Sequence, residues 1–118
     1  MKFNLNENES IELVYSFRSA IYFEQIAGHN VDFQNFTSND LTTLFYTVVI
    51  ASLQKERKPI ISMYEFMDAI DDYNGGEKSL VEFSNWYVKT ITAQYEVVGS
   101  INNEEEPKKE VKSKKKKS

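Results

Sequence analysis

Four groups of residues have the types and spacing that could do chemistry. Asp71, Gly76 and Glu82 stand at the first, sixth and twelfth positions of a calcium-binding loop. The third and fifth positions, which should supply oxygen ligands, are Tyr73 and Gly75. Two of the groups that would replace the ion's water are therefore missing, and Glu82 has a second use in a helix cap, so a calcium site is not expected. Glu65, Asp68, Asp71 and Asp72 put carboxylates on one helix face, where a divalent metal or an acid–base pair could use them. No histidine and no second acidic cluster completes a centre, so a solvated face, or a surface for a basic partner, is expected. His29 follows Gly28 in a loop, and the sequence identifies no nucleophile or carboxylate to work with it; it reads as a surface residue. Lys108, Lys109, Lys112 and Lys114–Lys117 could hold phosphate or an acidic surface. They lack the interleaved aromatics of a stacking platform, and a solubilising tail is the commoner use.

Composition narrows the chemistry further. The 118 residues include no cysteine and one histidine. That excludes disulfides, thiolate zinc, iron–sulfur clusters, a cysteine nucleophile and a multi-histidine metal centre. There is no nucleophile elbow, phosphate-binding glycine loop or dinucleotide fingerprint. The expectation is a protein that is not an enzyme and needs no cofactor or metal. Residues 1–100 carry 7 basic and 14 acidic groups, whereas residues 101–118 carry 7 basic and 4 acidic, giving −7 and +3. An acidic body is a poor non-specific binder of nucleic acid, and no nucleic-acid partner is expected. The longest apolar run, Val48 to Ala51, is far below the roughly 20 residues of a membrane span, and the amino-terminal segment lacks the apolar core of a signal peptide. A soluble, intracellular protein with no membrane partner is expected.

The elements follow from periodicity and punctuation. Phe3 and Leu5, then Ile11, Leu13 and Tyr15, alternate around the polar stretch Asn6–Ser10, which predicts a β-hairpin. A lone hairpin is marginal in water and must lie on the helices that follow. Residues 17–27 switch to helical spacing, closed by Gly28. Val31 to Phe36 reads as an apolar connector. A second helix starts at the cap Thr37 with Asp40 three residues on, and Phe36 and Leu41 fit a hydrophobic staple. It ends in Lys55–Lys58 before Pro59. Ser62 and Glu65 form a capping box for a third helix, with Ile61 and Phe66 as its staple and Met63, Phe66, Met67 and Ile70 as its apolar face; Asn74-Gly75-Gly76 ends it. Ser79 and Glu82 suggest a second box opening a fourth helix. Leu80, Tyr87, Ile91, Tyr95 and Val98 form its core stripe. Phe83 and Trp86, with Thr90, lie on another side. Two apolar sides on one helix of so small a domain suggest that one is buried and the other used. Phe83, Trp86, Thr90 and Tyr87 are thus the candidate protein-binding residues; the competing reading packs Phe83 and Trp86 under the hairpin. Residues 101–118 are too polar to offset their ordering entropy and are expected to be disordered. The resulting class is α+β, mostly α: an amino-terminal hairpin on about four helices in a domain of residues 1–100, then a tail.

This order of elements resembles the tail assembly chaperones of long-tailed bacteriophages across most of residues 9–98. The resemblance rests on a strand running into a helix from Ile11 to Gly28, with the aromatic–basic pair Phe17-Arg18, Glu24 and Gly28. It continues with the helix start Thr37 to Leu41, the extended Pro59-Ile60-Ile61 leading into Ser62–Asp71, and the long aromatic helix with Phe83, Trp86 and Tyr87. These are packing and capping signals, not catalytic signatures. The resemblance implies a small chaperone that coats the long, helical, aggregation-prone tape-measure protein, self-associates as a homo-oligomer, and leaves as the tail tube polymerises. It would act in the host cell cytoplasm and be absent from the mature virion. Such proteins often occur in two lengths through a ribosomal frameshift, the longer form recruiting the tail tube protein. Lys114–Lys117 stands where an A-rich slippery codon run would lie. The alternatives are a small protein-interaction adaptor or another virion assembly factor.

Overall fold

The fold is described by a computed structural model of residues 1–105, with side chains described as far as Gln94. Two short strands come first, β1 (Lys2–Asn4) and β2 (Ser10–Glu12), antiparallel with Phe3 opposite Ile11. Four helices follow: α1 (Phe17–Ala27), α2 (Ser38–Lys55), α3 (Met63–Tyr73) and α4 (Glu77–Glu105), with a 3-10 turn at Phe33–Asn35 between the first two. The chain divides into two compact units, Met1–Trp86 and Tyr87–Ser118. In the second unit the described residues are the continuation of α4 to Glu105. The helix therefore runs past the boundary at residue 100 that composition suggested, and residues 101–105 are helical. The expected disorder of residues 106–118 and the Lys114–Lys117 run lie outside the described residues.

Within the first unit, α2 is the axis. Every residue from Thr43 to Leu53 is buried, a continuous run that only an element surrounded by others can present. Phe45 sits near its middle. The ring of Phe3 meets it edge-on at 5.5 Å, that of Phe66 edge-on at 5.2 Å, and that of Phe83 stacks on it at 4.4 Å. All four phenylalanines are fully buried. The hairpin thus lies on helices as expected: one phenyl ring from β1 closes an aromatic cluster made by α2, α3 and the start of α4.

Polar bonds tie the hairpin in register. The Asn74 side chain acts toward β1 as a neighbouring strand would, its Oδ1 accepting from the Asn4 N–H at 2.9 Å and its Nδ2 donating to the Asn4 carbonyl at 2.8 Å. Nδ2 also donates to the Ala69 carbonyl at 2.8 Å, and Asn4 Nδ2 returns a bond to the Tyr73 carbonyl at 3.0 Å. One carboxamide so satisfies both backbone groups of an edge residue, and Asn4 in return satisfies the last carbonyl of α3. After β2, Ser52 Oγ accepts from the Val14 N–H at 3.0 Å and donates to the Val14 carbonyl at 3.3 Å, joining the chain to α2.

The helix ends follow the sequence signals in part. Thr37 with Asp40 and Ser62 with Glu65 form reciprocal capping boxes, and Gly28 closes α1 in the left-handed region at φ 84°. Ser16 caps α1 through a box with Ser19, a pair of hydroxyls where a glutamate is usual. The box expected of Ser79 and Glu82 does not open α4. The helix begins two residues earlier, at Glu77, and Ser79 Oγ donates back to the Gly76 carbonyl at 2.7 Å. Gly75 and Gly76, at φ 81° and 65°, make the reversal so tight that Ser79 already lies inside the first turn. The connector also differs from expectation, because Phe33 is 56% exposed. The end of α2 is unusual: Lys58 N–H reaches back to the Leu53 carbonyl at 2.9 Å, and Arg57 occupies the left-handed position at φ 62° where glycine is normal.

Two stability outcomes follow. Phe45→Ala should cost about 3–5 kcal/mol, because it empties the centre of the cluster, whereas Phe17→Ala, at an 82% exposed ring, should stay within about 0.5 kcal/mol. Arg57→Gly should raise stability by about 1 kcal/mol by relieving the left-handed backbone. Urea unfolding of the three variants reads both.

Candidate interaction surface

The residues singled out on α4 differ in burial. Phe83 is fully buried against Phe45, and Tyr87 is 5% exposed. Trp86, its ring 5.8 Å from that of Phe83, and Thr90 are half-buried. Phe83 therefore belongs to the core, which corrects its assignment to a binding face. The cause is the three-residue turn Asn74–Gly76, which carries the first turns of α4 directly over α2. Of the expected core stripe, Tyr87 is buried and Leu80 and Ile91 are half-buried; Tyr95 and Val98 lie outside the described side chains.

A different concavity opens between α2, α3 and the start of α4. Thr42, Met67, Ile70 and Leu80 form its walls, Asp71 and Glu77 stand in its lining as acids, and its volume is about 190 Å³. Met67, expected on the inward face of α3, is 42% exposed and lines this groove. Tyr64, one turn earlier on α3, is 80% exposed, and Val81, next to Leu80, is 62% exposed. An unbranched thioether adapts its shape to what it meets, so such a groove can take apolar side chains of varied outline. The two carboxylates favour a partner carrying basic groups beside its apolar ones.

The acidic cluster on α3 is less uniform than its spacing suggests. Glu65 is committed to the helix cap, its Oε1 accepting from the Ser62 N–H at 2.8 Å. Asp68, Asp71 and Asp72 are exposed. The calcium-like window from Asp71 to Glu82 is not a loop, because Asp71–Tyr73 ends one helix and Glu77–Glu82 begins the next. Among the described residues no group of three or more His, Asp or Glu side chains is placed to hold a metal ion. Nor is any helix among them long and apolar enough to cross a membrane.

His29 has partners that the sequence did not reveal. Its Nδ1 lies 2.7 Å from the Asn30 carbonyl, which can only accept, so Nδ1 carries a proton. Its Nε2 then faces Asp40 Oδ1 at 3.3 Å. A neutral ring would turn a lone pair toward that carboxylate, whereas a protonated ring donates to it. The Asn30 bond first holds the His29 pKa above its ordinary value; burial opposes it, and Asp40 and then Asp32 add to the rise. Asp40 also accepts from the Thr37 N–H, so the pair ties the loop after α1 to the cap of α2.

Compared with family models, curated proteins and solved structures, the chain matches none.

Because His29 is more basic in the folded chain than in the unfolded one, its contribution to stability is fully present below the unfolded pKa of about 6.5 and is lost as pH rises through the folded pKa. Unfolding followed at pH 5.5 and at pH 8 should therefore show a small decrease at the higher pH that His29→Gln removes; an unchanged pH difference in the variant would discard the pair as its origin.

Proposed function

We propose that this chain is a non-enzymatic tail assembly chaperone of a long-tailed phage or prophage, which covers the tape-measure protein until the tail tube forms around it. The observation that carries the reading is the acid-flanked Met67 groove with exposed Tyr64 and Val81 nearby. The resemblance in residues 9–98 supports it at the level of family. Among the residues of that resemblance, the caps at Gly28, Thr37 and Ser62 are working helix boundaries.

The physical task suits such a surface. A long helical client with apolar stripes aggregates unless those stripes are covered, and the cover must later be removed. A groove of about 190 Å³ admits only one or two side chains, so each site is weak. Many weak sites along one client add up through avidity while each exchanges quickly. In this reading the chaperone self-associates along the client in the host cytoplasm, is absent from the finished virion, and engages the tail tube protein through an extended form. The extended form would arise by frameshifting at the codons of Lys114–Lys117.

The test is co-expression with the large helical product of a neighbouring gene. The chain should raise that product's soluble fraction several-fold and co-purify with it. Met67→Asp together with Tyr64→Asp should lose most of this effect while circular dichroism stays unchanged, since both side chains are substantially exposed. No gain in solubility with the parent chain would overturn the reading. The frameshift component is checked at the codons of Lys114–Lys117, which should form an uninterrupted A-rich run followed by an open reading frame shifted by −1.

A further inference from the structure

A second cleft, of about 620 Å³, lies between the start of α1 and the end of α2, and its lining includes Ser16, Phe17, Arg18, Gln54, Lys55 and Arg57. Residues 1–100 have only seven basic side chains, and three of them meet here in a body with twice as many acids. Nearby Lys58 is neutralised by Glu9 at 3.8 Å and Glu56 at 3.4 Å. Arg18, Lys55 and Arg57 have no ion pair or side-chain hydrogen bond among the described residues. The amide of Gln54 is oriented by Tyr22, whose hydroxyl donates to Oε1 at 2.5 Å, so its N–H groups remain as donors. Two guanidinium groups, an ammonium and an amide NH2 offer donors and almost no acceptors. The ligand such a cleft suits is acceptor-rich and negative: a carboxylate or phosphate.

The cations are not placed for the fold's convenience. Arg18 is the second residue of α1, at the positive end of the helix dipole, where a cation is disfavoured. The first turn of α1 has no acidic residue to offset it, unlike those of α2, α3 and α4. Arg57 keeps a cation at a left-handed position where glycine would be less strained. Beside them Phe17 leaves its ring 82% exposed.

We infer that this cleft receives the glutamate run Glu104-Glu105-Glu106 of a second copy of the chain. A long polyanion such as nucleic acid would overrun the cleft and meet the acids of the same body; a run of three carboxylates would not. The lysines that follow Pro107 in sequence would then meet that acidic body, so both signs in one segment find their complement. Each copy carries one cleft and one glutamate run, and their pairing is head-to-tail. Heterologous contacts of that kind build rings or open chains instead of closed two-fold dimers. This specifies the self-association that the chaperone reading calls for, and rests on that reading for its purpose.

The experiment is a charge swap on the full chain, read by sedimentation velocity at low salt. The parent should show a weight-average mass that rises with concentration. Arg18→Glu/Lys55→Glu/Arg57→Glu should weaken association at least tenfold, and so should Glu104→Lys/Glu105→Lys/Glu106→Lys. Mixing the two variants should restore it, because each then offers a complement to the other. If the triple reversal in the cleft disturbs folding, Arg18→Gln/Lys55→Gln/Arg57→Gln should give the same loss without restoration. A parent that stays monomeric, a variant that associates like the parent, or folded variants that do not recover on mixing would overturn the inference. Loss of association on adding inorganic phosphate, beyond that caused by chloride at equal ionic strength, supports the cleft as the contact. Equal losses in phosphate and in chloride would count against it. Client solubility measured on the same variants separates the two readings. A client kept soluble by a chain whose association ignores the cleft overturns this inference alone; a working charge swap in a parent chain that leaves the client insoluble overturns the chaperone reading alone.

Discussion

The ring of Phe45 is the point on which the first unit depends. It is met edge-on by Phe3 and Phe66 and face-on by Phe83, so a single side chain of α2 is touched by β1, α3 and α4. Offset and edge-to-face aromatic pairs add about 0.5–1.5 kcal/mol each beyond the area they bury, and here three converge on one ring. A strand pair of three residues each could not persist alone. It persists because Phe3 is held in this cluster while Asn74 and Ser52 satisfy the polar backbone on either side. The cluster also decides what is left outside: with Phe66 turned inward, Met67 and Tyr64 face solvent.

Much of this was legible in the sequence because the signals were local. A cap residue with its acidic partner three positions on, a glycine after a helical run and alternation around a polar loop each report on a few consecutive residues. The readings at Thr37, Ser62, Gly28 and Phe3–Ile11 agree with the structure for that reason. Ser79 and Glu82 satisfied the same rule and failed, because two glycines reversed the chain sooner than the rule anticipates. Which side of a helix faces a partner is not local. Phe83 and Met67 exchanged roles: the aromatic expected at a surface is in the core, and the thioether expected in the core lines a groove. Both outcomes are set by how α3 and α4 cross α2, which depends on residues about twenty to forty positions apart. The pairing of His29 with Asp40, and the gathering of Arg18 with Lys55 and Arg57, are hidden from sequence for the same reason.

The arrangement separates two kinds of surface. The Met67 groove, with its acids, lies against α3 and the start of α4. The cationic cleft lies at the junction of α1 and α2. The net charge of −7 over residues 1–100 is thus an average over regions of opposite sign. Opposite signs on different faces of one small body favour ordered contacts between unlike faces and discourage contact between like ones.

The clamp between Asn4 and Asn74 closes a loop of seventy residues. A chain made at about 5–20 residues per second leaves β1 without this partner for several seconds after it has been synthesised. During that interval Phe3 has neither Phe45 nor Phe66 to cover it for part of the time, and the strand edge is unpaired. The return of the first segment is therefore possible only once α3 and its closing asparagine have emerged, and Phe83 of α4 joins the cluster later still. The waiting strand is the stage at which nascent chains on one message are most exposed to pairing with one another.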